Sequence, residues 1–441
     1  MSLHNKHILI APVEIAGYYT NLHKGLESLG VKCDFVTFDH HPFGYGGESL
    51  NPYLICLAKR CKRSKFNQIT NPLSSLCQRL AFEFLVGLWG IYAIFKYDIF
   101  IFGFGRSLLR WNIDLPLLKI LRKKTISVLG HGSEARPAFI DGSYQTKEGL
   151  HTSVEFIQKR TRAISKVVKF HQKYCNIVLG TPFSTTQYAH ASFINMFVIG
   201  IPFQINNIDL GRHNENPLSL ISQRPVRILH SPSHPAAKGT PIINKAIENL
   251  QNRGFNIEYV TVTDMLYSDV LNEIQYCDFV VDQVYSDTPM AGFATEAAWF
   301  GKPAVVGGYD FDYLKKHVPE EMWPPSKICT PSQIEKAIEE LIVNREERLK
   351  LGEEAEKFVQ EKWSAKEIAR RYLKLIEEDI PNDWWLDPKL VKYVYGAVQS
   401  RERSKEIIRQ MVKQFGVRSL CLSHRPDLEA TFLEFAGIDP L

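Results

Sequence analysis

The sequence predicts an α/β protein: two doubly wound domains facing a cleft, followed by a helical carboxyl-terminal extension. Three observations carry this. At 441 residues the chain exceeds what one ordinary hydrophobic core accommodates. In both halves, short apolar runs bounded by turn residues alternate with amphipathic helical patterns, the mark of parallel βαβ units. A polar stretch with two prolines, 206–225, separates the two series and reads as a linker. The expected units are therefore 1–205 and 226–360, followed by a further stretch, 361–441.

In chain order, HILIAPV (7–13) is a first buried strand. A helix with Leu22, Leu26 and Leu29 on one face follows, ending at Gly30, and VKCDFVTFD (31–39) is the second strand. Gly17 turns the first loop, where a backbone can approach a diphosphate or sugar; a plain turn explains it equally. Residues 40–80 read as an irregular polar excursion. FLVGLWGIYAIF (84–95) is too short to span a bilayer and is expected as a buried helix, with an interfacial helix as the alternative. YDIFIFGFG (97–105) is a strand, 113–124 a helix, and TISVLGHGSEAR (125–136) a strand running into a polar loop. A further strand lies in 174–188, and FVIGIPF (197–203) closes the first domain.

The second series begins with VRILHSPS (226–233) and a helix whose apolar face is Ile242, Ile243, Ala246, Ile247 and Leu250. FNIEYVTVTD (255–264) is a strand, and a helix leads into the strand end 279–281. From Asp282 a polar loop is expected, then a short helix, TEAAWFG, opened by Glu296 and broken by Gly301 and Pro303. PAVVG is the next strand. Ligands of such sheets sit at the carboxyl ends of the strands, so this loop faces a site. Residues 331–364 read as closing helices, Ser364 and Glu367 as a capping box, and 389–416 as helical and basic.

Composition narrows the class. With 45% apolar and 23% charged residues the chain is globular rather than disordered. Its formal charge of +5 is concentrated in three clusters of the first half, 59–65, 121–124 and 159–169. No zinc-finger, RRM or KH pattern accompanies them, so nucleic acid is not an expected partner. They suit solvated helix faces, or a face lying on anionic lipid or reaching a phosphorylated acceptor. Eight scattered cysteines without a C-x-x-C pair imply neither zinc site nor disulfide framework and fit a reducing cytosol. The amino terminus enters a strand with no signal-peptide pattern, so a cytoplasmic location is expected.

Three motifs carry a resemblance. EAAWFGKPAVV (296–306) resembles the Glu-Ala-x-x-x-Gly-x-Pro-x-Val signature of retaining glycosyltransferases of the GT-B fold, family-4 type (glycosyl transferases group 1). HGSEAR (131–136) resembles a His-Gly-Ser-Asp-x-Arg loop of some of these enzymes, and Lys238-Gly239-Thr240 resembles their diphosphate-holding basic turn. Two departures stand out: Thr288, beside Asp287, occupies the place of the signature's first Glu, and the turn lacks its Arg, with Ser233 nearby.

The resemblance implies two Rossmann-like domains. The first, 1–205, would hold the acceptor, and the second, 226–360, a nucleotide-diphosphate sugar. A helix at 361–385 would cross back to the first domain; the role of 386–441 is open. Lys238, with backbone N–H groups of Gly239 and Thr240, would hold the diphosphate, whose charge grows as the glycosidic bond breaks. Glu296 would accept ribose hydroxyls, and the base would lie near Thr263. Asp287, Thr288 and the backbone of Ala291, Gly292 and Phe293 would face the transferred sugar. His131 would contact the sugar or leaving phosphate, with Glu134 and Arg136 steering acceptor or phosphate. The family's front-face mechanism needs no metal and no cofactor beyond the donor; DFD (310–312) is discounted as a metal motif. Expected partners are the donor, a saccharide or glycolipid acceptor, and an anionic membrane surface at the inner face, in cell-surface polysaccharide or lipopolysaccharide synthesis. A catalytically inactive sugar-nucleotide-binding scaffold is the alternative. A nucleotide-sugar epimerase lacks its carboxylates here, and a dehydrogenase lacks GxGxxG, since GFGRS has no third glycine.

Overall fold

The computed structural model describes residues 6–39, 51–63, 72–145, 152–205, 224–263 and 265–439. The amino-terminal sheet is built from β1 (Ile8–Ala11), β2 (Cys33–Phe35), β3 (Ile99–Gly103), β4 (Lys124–Leu129), β5 (Ile177–Gly180) and β6 (Phe193–Asn195). They pair in the order β6-β5-β4-β3-β1-β2, all parallel. The second sheet has β7 (Val226–His230), β8 (Ile257–Thr261), β9 (Phe279–Ser286), β10 (Ala304–Gly308) and β11 (Lys327–Cys329), parallel in the order β11-β10-β9-β7-β8. Near-continuous apolar runs such as Ile8–Ile10 and Phe100–Phe102 are buried because helices cover both faces of a parallel sheet. Two doubly wound domains are thus present.

Sequence expectations fail in instructive places. Of the 40–80 excursion, 51–63 and 72 onward hold the Tyr53–Arg63 helix and the start of a Pro72–Lys96 helix; 40–50 and 64–71 lie outside the described residues. The apolar run is therefore part of a helix of 25 residues. Only its inner face is buried, through Val86, Trp89, Ala93 and Ile94, while Phe84, Ile91 and Phe95 face outward. The strand expected at 197–203 is replaced by a helical turn, Met196–Ile199, because Asn195 Oδ1 accepts from Phe197 N–H at 3.1 Å and caps it. β9 extends to Ser286 although Asp282 and Gln283 are polar. Both find partners in place, Asp282 through Oδ1 with Lys238 and Gln283 with Ser286 Oγ at 2.6 Å.

The Ala365–Glu377 helix lies on the Tyr18–Ser28 helix of the amino domain. The approach is close: a Cβ on Gly25 would fall 2.1 Å from the Ala365 carbonyl oxygen. Tyr18 and Tyr372 hydroxyls meet at 3.0 Å, and Arg371 donates to the Ile199 carbonyl at 2.7 Å. The expected capping box is absent: Ser364 makes no side-chain cap, and the Glu367 carboxylate, which would have completed it, is drawn to Arg370 and Arg371.

Beyond it, β12 (Trp385–Leu386) adds antiparallel to β6. The stretch 391–400 is irregular where a helix was expected, and helix returns only at Arg401–Phe415. The stretch is threaded tightly: Tyr393 stacks on Phe183 with centroids 3.5 Å apart, and Ala397 exchanges backbone hydrogen bonds with Ile140 and Gly142. Val398 N–H then donates to the Tyr285 carbonyl of β9 at 2.7 Å, so the extension touches both domains.

Candidate functional site between the two sheets

The carboxyl ends of both sheets face each other across a cleft with two lobes of about 270 and about 350 Å³. Ile15, Ala16 and Gly292 line both and form the waist between them. The loop after β1 approaches the waist with Ala16 at φ 46° and Gly17 at φ 80°, left-handed values that favour glycine. Gly17 caps the Tyr18–Ser28 helix through its backbone, and Glu14 supplies what its side chain cannot. The Glu14 carboxylate accepts from the Ile15, Tyr19 and Thr20 N–H groups and the Thr20 hydroxyl. Burial raises its pKa above the usual carboxylate range, against those hydrogen bonds.

Across the waist, the Gly292–Trp299 helix points its amino terminus at this loop. Ala291 caps it without a side-chain hydrogen bond, leaving the first-turn N–H groups and the positive end of the helix dipole to the cleft. Expected as the opening acid, Glu296 instead lies in the second turn, because the helix begins at Gly292. It is buried and lines the larger lobe, as do Ser233, Lys238 and Phe293.

Lys238 ends the four-residue Pro235–Lys238 helix and donates from Nζ to Asp282 Oδ1 at 2.9 Å. The Asp282 side chain is fully buried and its Oδ2 has no hydrogen-bond partner. This lysine is thus a paired cation, positioned by β9. In the turn after it, one of the two expected backbone donors and the Thr240 hydroxyl are already engaged. Gly239 N–H is taken by the Ala236 carbonyl at 3.3 Å, and the Thr240 hydroxyl lies 2.9 Å from His230 Nε2. Burial lowers His230 to about 4 and leaves it neutral, with Nδ1 at 2.7 Å from the Val281 carbonyl, so the Thr240 hydroxyl is held in the core by His230. Thr263 is exposed beyond the end of β8, next to Val262 of the larger lobe; Asp264 lies outside the described residues.

His131, Arg136, Asp287, Thr288 and Ala291 line the smaller lobe. His131 Nε2 is 2.8 Å from the Tyr19 hydroxyl, and its ring meets Tyr18 and Tyr19 edge-on at 4.9 and 5.5 Å. Burial lowers its pKa to about 3, so the imidazole is neutral and serves as a hydrogen-bonding group. Glu134 does not line the lobe; its Oε1 accepts from His131 N–H at 2.7 Å and shapes the loop. Burial pushes Glu134 up to about 7, opposed by that hydrogen bond and by Arg136.

Arg136 crosses the cleft. Its guanidinium pairs with Asp287 of the opposite domain and, at 3.3 Å, with the fully buried Asp141 of its own. Burial opposes the charge, but the two carboxylates outweigh it and hold the guanidinium ionised. Arg136 is therefore an interdomain tie. Thr288 is folded into its own loop, with Oγ1 3.3 Å from the Met290 carbonyl.

Asp282, Tyr19, Asp141 and Glu14 escaped sequence reasoning. Asp282 alone had a signal, an acid interrupting the apolar run FVVDQV. Among the described residues no three His, Cys, Asp or Glu side chains cluster as metal ligands.

No protein-family model matches this sequence, and no curated protein matches it. Solved structures resemble it at a distance. HepE from Anabaena, in complex with UDP-glucose, has a TM-score of 0.47 and 12% identity over 85% of this chain and 99% of its own. Sucrose-phosphate synthase from Thermosynechococcus elongatus has a TM-score of 0.47 and 13% identity over the same shares. The glycosyltransferase SnogD from Streptomyces nogalater has a TM-score of 0.41 and 11% identity over 84% of this chain and 99% of its own. Likeness at this level decides nothing about chemistry, which has to come from this chain's own residues.

Proposed function

We propose that this protein transfers a sugar from a nucleotide-diphosphate sugar to a hydroxyl of a saccharide or lipid-linked acceptor, with retention at the anomeric carbon. One observation carries the reading: a bare helix amino terminus, a positioned lysine and a neutral histidine converge around the waist of a two-lobed cleft. The larger lobe takes the nucleotide, with the Glu296 carboxylate as acceptor for ribose hydroxyls. The diphosphate lies at the waist, between Lys238 and the N–H groups of Gly292 and Phe293. Negative charge growing on the leaving phosphate is stabilised there by a cation and a helix dipole already in place. The smaller lobe takes the sugar, against His131 and the Asp287–Thr288 loop. The acceptor hydroxyl attacks from the face the phosphate leaves, and a phosphate oxygen takes its proton. This path needs no protein nucleophile and no metal, so transfer is expected to persist in a chelator.

The alternative, a scaffold that binds the sugar nucleotide without turnover, is favoured by Thr288 in the place of an acid and by the pairing of Lys238 with Asp282. The deciding experiment incubates the protein with UDP-, GDP- and ADP-sugars without acceptor and follows free nucleoside diphosphate. Release from one donor, lost in both Lys238→Ala and Glu296→Ala, supports the transferase. Thermal stabilisation by a nucleotide with no release supports the scaffold. Neither response would remove the site.

A further inference from the structure

The Pro72–Lys96 helix is amphipathic in an unusual sense, because both of its faces are apolar. Val86, Trp89, Ala93 and Ile94 enter the amino-domain core, while Leu80, Phe84, Leu88, Ile91 and Phe95 form an outward stripe. Phe84 is 65% exposed and Phe95 71%. The stretch Leu76–Lys96 is long and apolar enough to cross a membrane. It cannot do so here, since its inner face packs in the core and Tyr97 leads straight into β3. A helix held on a sheet with a bare apolar outer face is suited to lie in an interface.

Neighbouring elements extend the stripe. The crossover from β3 to β4 proceeds in the same direction as that from β2 to β3, so right-handed connections put both on one face of the sheet. Contact confirms the placement, for a Cβ on Gly90 would fall 2.8 Å from Leu109 Cδ2. The segment beyond Leu109 carries Trp111, 75% exposed, and Ile120, 77% exposed, with Ile113 and Leu117 between them. Arg110 lies over the Trp111 ring at 4.3 Å, a cation beside an aromatic as at a headgroup boundary. The third helix of this face, Val154–Tyr174, is tied to the second by Lys119 Nζ donating to the Lys173 carbonyl at 2.7 Å. Its exposed side shows Arg162, Lys166, Lys169 and Lys173, and after Glu155 it carries no acid.

We propose that these three helices seat the protein on an anionic lipid bilayer, with the aromatic and aliphatic stripe in the headgroup–acyl boundary and the Val154–Tyr174 cations against lipid phosphates. Charge complementarity selects this occupant over a second copy of the chain. The same face of a second copy offers these cations no acid on its Val154–Tyr174 helix after Glu155, whereas a bilayer of anionic lipid neutralises them. The helix is roughly 37 Å long against roughly 16 Å for β3. Because its carboxyl end meets the start of β3, its amino-terminal part overhangs the end of the sheet where the cleft opens. The seat therefore brings the cleft close to the lipid surface. It stands independently of the transferase reading.

The test is cosedimentation of the full chain with vesicles of phosphatidylcholine alone and of phosphatidylcholine with phosphatidylglycerol. Alongside run Phe84→Ser/Ile91→Ser and Lys166→Glu/Lys169→Glu, each checked for an unchanged unfolding temperature. Binding is expected on the anionic vesicles only, weakened by salt, and reduced roughly tenfold or more in each variant. Equal binding to the neutral vesicles, or full binding by both variants, would overturn the proposal. So would self-association abolished by the serine pair without any vesicle binding, which would give the face to a second copy.

Discussion

Glu134→Gln tests a buried carboxyl near the cleft that burial pushes up to about 7. Burial raises Glu134 from 4.5 to about 7 in the folded protein, and Asp141 adds to the rise, against the His131 N–H bond and the Arg136 charge. A carboxyl whose folded pKa is raised binds its proton more tightly when folded, so its contribution is intact below the unfolded pKa. Stability is then lost as pH rises from the unfolded value towards the folded one, here between about 4.5 and about 7. The full loss is about 3 kcal/mol above that window, at about 1.4 kcal/mol for each tenfold step in proton affinity.

Glutamine imitates the protonated form. Its carbonyl oxygen can take over the His131 N–H bond now made by Oε1, while Oε2 is already buried without a partner. Urea unfolding of wild type and variant should therefore differ little near pH 4 and diverge towards pH 8, the variant becoming more stable by about 3 kcal/mol relative to its low-pH offset. A difference that stays constant across this range, or one that favours the wild type at high pH, would refute the buried placement of Glu134.

Other outcomes follow from the same geometry. Lys238→Ala should cut acceptor-free donor cleavage by about a hundredfold or more, and lower the unfolding temperature because Asp282 is left buried and unpaired; calorimetry and nucleotide release read the two effects separately. Arg136→Met should cost about 3–5 kcal/mol in urea unfolding, since it strips a partner from two carboxylates at once. Thr288→Glu restores an acid to the sugar side of the cleft, and nucleotide release should rise severalfold; an unchanged rate would mean that this position does not face the sugar. Gly103→Ala places a Cβ 1.8 Å from the Tyr19 hydroxyl, which must displace Tyr19 from His131, so donor cleavage should fall along with stability.

Periodicity made most of the scaffold legible. The β1 and β4 runs, the 240–252 helix and the 334–362 helices are all written as apolar faces bounded by breakers. Errors arose where a polar residue is satisfied by a partner distant in sequence. Asp282 and Gln283 read as a loop because nothing local shows that Lys238 and Ser286 will meet them inside β9. The reverse error occurred at 391–400, where helical composition lost to tertiary threading: a Cβ on Gly396 would fall 2.1 Å from the Ile140 carbonyl oxygen, and Val398 bonds to β9. The long helix was misjudged for a third reason. Its apolar residues surround the axis, which announces burial, and only the packing shows that one side is left exposed by the described residues.

At the site, motif spacing located residues but not their duties. Lys238, Glu296, His131 and the Asp287–Gly292 loop do converge on one cleft. What spacing could not convey is which of them are already engaged. Thr240 is spent on His230, Glu134 on a backbone N–H, and Arg136 on carboxylates from both domains. Several links restrain the two sheets relative to each other, among them the Arg136–Asp287 pair, the Ala365–Glu377 helix on Tyr18–Ser28, the Val398–Tyr285 hydrogen bond, Asn195 Nδ2 donating to the His317 carbonyl at 2.7 Å, and His234 Nε2 at 3.1 Å from the Gln145 carbonyl. The first differs from the others in kind, because it is an ion pair whose two partners both line the smaller lobe. A ligand entering that lobe would meet the pair directly, so occupancy of the lobe and this restraint on the domains are coupled.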